Sequence, residues 1–342
     1  MKRILDHTEI ALENKMNYTR LGRTALRVSP LCLGTLNLGV RTSKAEAFAL
    51  LDQALDSGIN FVDTANHYGW QRYRGFTEEL LGEWMAQGGE RRERIVLSTK
   101  VFNAMSDRPN DQGLSARHII ASCEDSLRRM GTDHIDLFQM HHVDRSAPWD
   151  EVWQAMEVLT HQGKIRYTGS SNFAGWHLVS AQEAARRRNF LGIVSEQCVY
   201  NLVRRHAELE LIPAAREYGI GVLVWSPLHG GLLGGAIRKL AEGTAAKAAQ
   251  GRAQVAMPAH GHQVAEYEKL CADFGLDPAE VALSWVISRP GVTSTTIGPR
   301  TAAHLEGAVR ALDHSLSEEL LDRLESLFPP IGGGGPAPEA WI

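Results

Sequence analysis

The sequence predicts an α/β fold, a closed (β/α)8 TIM barrel with an N-terminal β-hairpin and a long loop after the seventh strand. Three observations predict it. Short β-branched runs alternate with amphipathic helical stretches, eight strands in all. No change to a linker composition interrupts the alternation. The glycine fingerprint of an open dinucleotide-binding sheet is missing, because Leu33-Gly34-Thr35-Leu36-Asn37-Leu38-Gly39 carries only two glycines, five apart. Eight units fit a closed barrel, which commonly runs past about 250 residues as one domain. An open doubly wound sheet is the alternative.

The elements follow in order. Tyr18–Leu21 and Ala25–Val28 form a hairpin across Gly22-Arg23, and Leu31–Gly34 is the first barrel strand. A helix fits Lys44–Asp56, with Phe48, Leu51 and Leu55 on one face, and stops at Ser57-Gly58 as a C-terminal glycine requires. Strand Ile59–Val62, helix Glu78–Ala86, strand Ile95–Thr99 and helix Ser115–Met130 come next. The rhythm continues through strand Ile135–Met140, helix Trp149–His161, strand Ile165–Gly169, helix Gly175–Arg188, strand Ile193–Gln197 and helix Glu208–Tyr218. It closes with strand Gly221–Trp225, helix Pro278–Ser288, strand Ser294–Ile297 and helix Ala302–Leu312. Pro227–Pro258 is too long for a plain connection, includes an alanine-rich piece with helical character, and is expected to close over a bound cofactor. The barrel is expected over residues 1–328 and a flexible tail over 329–342.

Composition narrows the functional classes. With 36 Lys plus Arg against 40 Asp plus Glu, the net charge of −4 and the lack of a basic block give no footprint for nucleic acid or an anionic membrane. No apolar run reaches membrane-spanning length, and the acidic residues in the first twenty positions do not read as a secretory signal. A cytoplasmic protein is expected. Cys32, Cys123, Cys198 and Cys271 sit in apolar surroundings without metal-ligand spacing, so four reduced buried thiols are expected and no metal site.

Function in such a barrel sits at the C-terminal ends of the strands. Asp63, Lys100 and His141 end three different strands there, and Tyr68 follows Asp63 in the adjoining loop. As a set they suit carbonyl reduction. Hydride addition makes an alkoxide that needs a proton, and Tyr68 can donate it if a cation favours its phenolate. Lys100 is that cation, Asp63 keeps it charged and oriented, and His141 hydrogen-bonds the carbonyl oxygen. The hydride would come from a nicotinamide. Adjacent His142 should point to the opposite side of the strand.

Gly58-Ile59-Asn60-Phe61-Val62-Asp63-Thr64-Ala65 with Tyr68-Gly69, Ser98-Thr99-Lys100, Asp136–His141 and Gly169-Ser170-Ser171-Asn172-Phe173 together resemble the aldo-keto reductase superfamily, in order, from about Leu21 to Leu312. The resemblance implies NADPH/NADP+ as cofactor. It implies contacts from Gly34, Thr35, Leu36 and Asp63, and nicotinamide-amide bonds from Ser171, Asn172 and Gln197. It implies Trp225 stacking on the ring and a pyrophosphate cradle in Ser226, Pro227, Leu228, Gly230 and Leu232. Gly298, Arg300 and His304 would lie at the adenosine 2′-phosphate, although His304 and Ala308 stand where a Gln and an Asn are common.

Tyr68-Gly69-Trp70, Gly113–His118, His141–Trp149 and Trp225–Leu233 are similar to the NDP-4-keto-6-deoxyhexose 2,3-reductases of antibiotic deoxysugar biosynthesis. That resemblance implies reduction at C3 of a nucleotide-linked diketosugar, with dTDP as the expected nucleotide. Trp70, Phe102, Trp176, His142 and Arg145 would line the substrate, and Arg72, Arg74 and Arg108 are further rim cations. A broad aldehyde reductase and a non-catalytic NADPH-binding β-subunit are the alternatives, and homo-oligomerisation stays open.

Overall fold

The structure is a computed structural model, and it describes residues 16–243 and 251–331. Strands β1 (Thr19–Arg20) and β2 (Arg27–Val28) pair antiparallel as the expected hairpin. Eight parallel strands then close into a barrel: β3 (Leu31–Gly34), β4 (Phe61–Asp63), β5 (Val96–Val101), β6 (Ile135–Met140), β7 (Ile165–Ser171), β8 (Ile193–Val199), β9 (Gly221–Trp225) and β10 (Val292–Ile297). Each pairs with its sequence neighbour, and β10 closes the ring onto β3. The closed order excludes the open doubly wound sheet.

Helices α1 (Lys44–Asp56), α2 (Phe76–Met85), α3 (Ala116–Met130), α4 (Trp149–His161), α5 (Gly175–Arg187) and α6 (Leu211–Glu217) connect the first strands. Their ends obey local chemistry. Ser43 and Glu46 form a reciprocal capping box on α1, and Ser115 caps α3, which stops at Gly131 with φ 62°. Beyond β9 come α7 (Ala236–Ala241), α8 (Gly251–Asp273) and α9 (Pro278–Ile287), then α10 (Ala302–Arg310) and α11 (Glu318–Leu327).

Most of α8 and all of α11 differ from expectation. Pro258 lies inside α8, where proline ordinarily breaks a helix, so the sequence reads as a loop there. The helix is held by its packing: Val264 and Ala253 meet Leu232 and Ala236, and Glu268 accepts the Ile237 and Arg238 N–H groups. Helix α11, capped by Ser317, buries Leu320 and Leu324 against the barrel's outer core. The alanine-rich piece at 244–250, the start of the chain at 1–15 and tail residues 332–342 lie outside the described residues.

Two apolar layers frame the barrel. Trp84, Trp153 and Trp285 are fully buried between strands and helices. Inside, Leu21 and Val28 of the hairpin region join Cys32, Phe61, Val96, Leu137, Val194 and Leu223 to fill the N-terminal end. The polar site is therefore confined to the other end. All four cysteines are buried and unbridged. Among the described residues no group of His, Cys, Asp and Glu could hold a metal, and no helix is long and apolar enough to cross a membrane.

Candidate active site

Strand register places the acid–base group. Asp63 pairs with Ser98, and Lys100 with Gln139, so alternate residues of β4, β5 and β6 meet inside the barrel. Lys100 Nζ donates to Asp63 Oδ2 at 2.5 Å and to the Thr64 carbonyl at 2.8 Å. Asp63 Oδ1 accepts from Ser98 Oγ at 3.0 Å and Gln139 Nε2 at 2.9 Å. Lys100 is 0% exposed and Asp63 2%, so the pair is dry. Burial pulls the Lys100 ammonium down, but the Asp63 carboxylate and the Tyr68 oxygen outweigh it and leave the group above its ordinary value. It is a charged lysine at neutral pH. Its Nζ lies 5.1 Å from the centre of the half-buried Tyr68 ring, where a cation favours a phenolate.

His141 closes the other side, its ring centre 5.9 Å from that of Tyr68 and edge-on to it. Burial first, then the charges of Lys100, His67 and His142, holds its imidazole well below the ordinary value, so the ring is neutral. Asn103 Nδ2 lies 3.2 Å from His141 Nδ1. With Nδ1 accepting that bond, the ring proton sits on Nε2 as a donor for a carbonyl oxygen. Asn103 also reaches His67 Nδ1 at 3.1 Å, and burial with the Lys100 charge takes His67 down to about 4. His67 stacks on Trp70 at 5.3 Å and touches Tyr68 at 5.2 Å. Neither His67 nor Asn103 stands out in the sequence; both are loop residues, and only proximity to a strand-end group marks them.

The two adjacent histidines depart from expectation. Their rings stack in parallel at 5.1 Å rather than pointing to opposite sides. Strand β6 ends at Met140, so strand alternation no longer governs residues 141 and 142. His142 also meets Phe102 edge-on at 5.3 Å. Trp70 and Arg145 are exposed at the mouth, and Phe102 is half-buried.

The β7–β10 side carries the remaining candidates. Ser171 Oγ donates to the Gln197 carbonyl, Asn172 Nδ2 donates to the His141 carbonyl, and Trp225 Nε1 donates to Asn172 Oδ1 at 3.1 Å. Asn172 sits at φ 60°, a left-handed turn that asparagine tolerates. Gln197 Nε2 is buried and, among the described residues, has no hydrogen-bond partner. An orphaned amide donor beside Ser171 and Asn172 fits the carboxamide of a nicotinamide. Ser226, His229, Gly230 and Gly231 all have positive φ, and the loop folds on itself: the His229 N–H donates to the Ser226 carbonyl, the Gly230 N–H to Ser226 Oγ and the Gly231 N–H to the Leu228 carbonyl. Pro227 and Leu232 are buried, with Leu232 in the cluster under α8, so that loop offers chiefly backbone.

Gly34, Thr35 and Leu36 line the end of β3. A Cβ on Gly34 would come within 2.7 Å of Thr296, so only glycine fits there, and Thr35 binds the Asp63 carbonyl. Asn37 Nδ2 donates to the Gly298 carbonyl at 3.0 Å and stitches this loop to the end of β10. That contact brings Arg41 toward Arg300. Burial, then the Arg41 charge, lowers the Arg300 guanidinium. Neither arginine has a carboxylate partner among the described residues, so the two leave a positive site that a phosphate dianion would neutralise. His304 Nδ1 accepts from the Arg300 N–H at 3.4 Å. Arg41 was missed by sequence reading, since no spacing rule links it to Arg300.

A closed barrel with a buried Asp–Lys pair beside a tyrosine, a neutral histidine and an open amide site defines an oxidoreductase. Residues 30–328 match the Aldo/keto reductase family, and the chain belongs to it; that family generally uses NAD(P)H. Similar proteins include an uncharacterized oxidoreductase, YrpG, of Bacillus subtilis, 51% identical over 95% of this chain and 100% of the relative. A probable voltage-gated potassium channel subunit beta of Oryza sativa subsp. japonica is 32% identical over 91% of this chain and 96% of its own length. A putative aryl-alcohol dehydrogenase of Saccharomyces cerevisiae is 29% identical, again over 91% and 96%.

Proposed function

We propose that this chain reduces a carbonyl group with NADPH, and that the carbonyl belongs to a nucleotide-linked keto-deoxysugar reduced at C3. The observation that carries the reductase reading is the Lys100 ammonium, held charged by Asp63 in a dry layer beside Tyr68. A bound nicotinamide would supply the hydride. His141 Nε2–H holds and polarises the carbonyl oxygen, and Tyr68 delivers the proton that turns the alkoxide into an alcohol. Lys100 stabilises the phenolate left behind until solvent reprotonates it. Arg41 and Arg300 favour NADPH over NADH, because only the former carries a 2′-phosphate for two cations that have no carboxylate partner among the described residues.

The substrate reading is supported by a polar cavity of about 550 Å³ beside His142, lined by Phe102, Asn103, Gly113, Asp144, Arg145 and Ser146. Its hydroxyl, amide and charged groups suit a hydroxylated ring, and Arg145 suits a diphosphate. Trp176, 57% exposed and packed on His177, gives a flat apolar face at the same rim. A second reading, reduction of aromatic aldehydes, is favoured by the Trp70–His67 stack, which adjoins that cavity through Asn103.

The deciding assay follows NADPH consumption with a dTDP-linked 2,6-dideoxy-3,4-diketohexose, generated in place by its dehydratase, beside a simple aromatic aldehyde. A kcat/KM for the sugar far above that for the aldehyde is expected. The reverse order would establish the aldehyde reading. No turnover of either, with NADPH still bound, would leave a binding module.

A further inference from the structure

Glu196 is a buried carboxyl that the chemistry above does not use. It lies on β8, directly across the ladder from Ser170 of β7, and is 0% exposed. Its Oε1 accepts the Phe173 N–H at 2.9 Å, and its Oε2 lies 2.5 Å from the Ser170 hydroxyl. Those two anchors bracket Ser171 and Asn172. Because Asn172 turns the chain at φ 60°, the Phe173 N–H points back toward β8, where no ladder carbonyl meets it and the carboxyl does. Asn172 itself bonds the Gln197 carbonyl through its N–H at 3.0 Å.

We propose that Glu196 is a positioning residue, which clamps Ser170 and Phe173 so that the intervening Ser171–Asn172 turn keeps its cofactor-binding shape. This rests on the reading of Ser171, Asn172 and Gln197 as the nicotinamide-amide site. Glu196 performs the task as a neutral acid. Among the described residues no Lys, Arg or His pairs with it. Among the described residues, the other titratable groups around the turn are the Cys198 thiol on β8, the neutral His141, whose carbonyl accepts from Asn172 Nδ2, His177 on α5, and Glu210, which accepts the Trp176 N–H just before α6. None of them supplies a stabilising cation, since burial and the Arg145 charge lower His177. Burial raises Glu196 to about 8, against the opposing pull of Ser170 and the Phe173 and Asn172 N–H groups. The Ser170 hydroxyl has Glu196 Oε2 and, at 3.4 Å, the Ser195 carbonyl within hydrogen-bonding reach.

A glutamine reproduces that pattern, with its carbonyl toward Phe173 and its amide toward Ser170. The test is a fluorescence titration of the full chain with NADPH and, separately, with adenosine 2′,5′-bisphosphate, which has no nicotinamide. Glu196→Ala is expected to weaken NADPH about tenfold, the effect of losing hydrogen bonds in a dry site, while leaving the bisphosphate unchanged. Glu196→Gln is expected to bind both within about twofold of the parent. Ser170→Ala, which removes one anchor, is expected to weaken NADPH alone and stands in if Glu196→Ala does not fold. Parent-like NADPH binding by Glu196→Ala, or by Ser170→Ala in its stead, overturns the proposal, as does a Gln variant as weak as Ala. Asn172→Ala serves as reference: unchanged NADPH affinity there overturns the amide site itself, whereas a loss there with none at Glu196 overturns the clamp alone.

Discussion

The β4–β6 side of the rim and the β7–β10 side are prepared for ligands in opposite ways. Around Lys100 the charges are matched, with the Asp63 carboxylate taking three hydrogen bonds from Lys100, Ser98 and Gln139 in a dry layer. Across the barrel, among the described residues, Gln197 Nε2 has no hydrogen-bond partner and Arg41 and Arg300 have no carboxylate partner. The ion pair of the acid–base side is matched within the chain, whereas the cofactor side holds an amide donor and two guanidinium groups open to a ligand. Damage to the first side should therefore register in kcat and in stability, and damage to the second in cofactor affinity.

The largest effect should come from Tyr68→Phe, which removes the proton donor and leaves the packing. A fall in kcat of about 10²–10⁴ is expected with NADPH affinity retained. A fall in affinity with unchanged kcat would break the division. Next, Lys100→Met strands the Asp63 carboxylate without its counter-charge; a loss of about 3–5 kcal/mol in denaturant unfolding is expected. An unchanged unfolding midpoint would mean that the pair contributes nothing to the core.

Glu196 tests the second side by pH. Its folded value near 8 lies above that of an unfolded glutamate, so between about 4.5 and 8 the native chain binds the extra proton. Stability from this group is present in acid and lost as pH rises through that window. Glu196→Gln removes the loss, so its stability relative to the parent should rise by about 2–3 kcal/mol from pH 6 to pH 8 and level off above. A pH-independent difference would place the parent's proton elsewhere. The smallest effect is at the arginines. Arg41→Ala and Arg300→Ala should each weaken NADPH about tenfold and leave NADH alone. Equal losses for both cofactors, by titration, would detach the pair from the 2′-phosphate.

The sequence reveals strand-end residues better than loop residues, for a physical reason. Asp63, Lys100 and His141 each follow a short β-branched run, and a strand end in a barrel has a predictable destination. Arg41, His67 and Asn103 stand in loops, whose paths follow from tertiary contacts such as the Asn37–Gly298 bond rather than from periodicity. Glu196 did leave a trace. A glutamate inside the apolar run Ile193-Val194-Ser195-Glu196 is costly unless satisfied, which by itself asks for a buried partner. Pro258 hides helix α8 from its sequence, whereas Ser317 and the spacing of Leu320 and Leu324 do mark α11.

The hairpin at the other end has a consequence for traffic. Leu21 and Val28, with the apolar ring of Cys32, Phe61, Val96, Leu137, Val194 and Leu223, stopper the barrel from below. Lys100 is thus reached through one doorway, and everything that enters must leave by the way it came. Cofactor and substrate therefore share one mouth, and the opposite end of the barrel serves only as its floor.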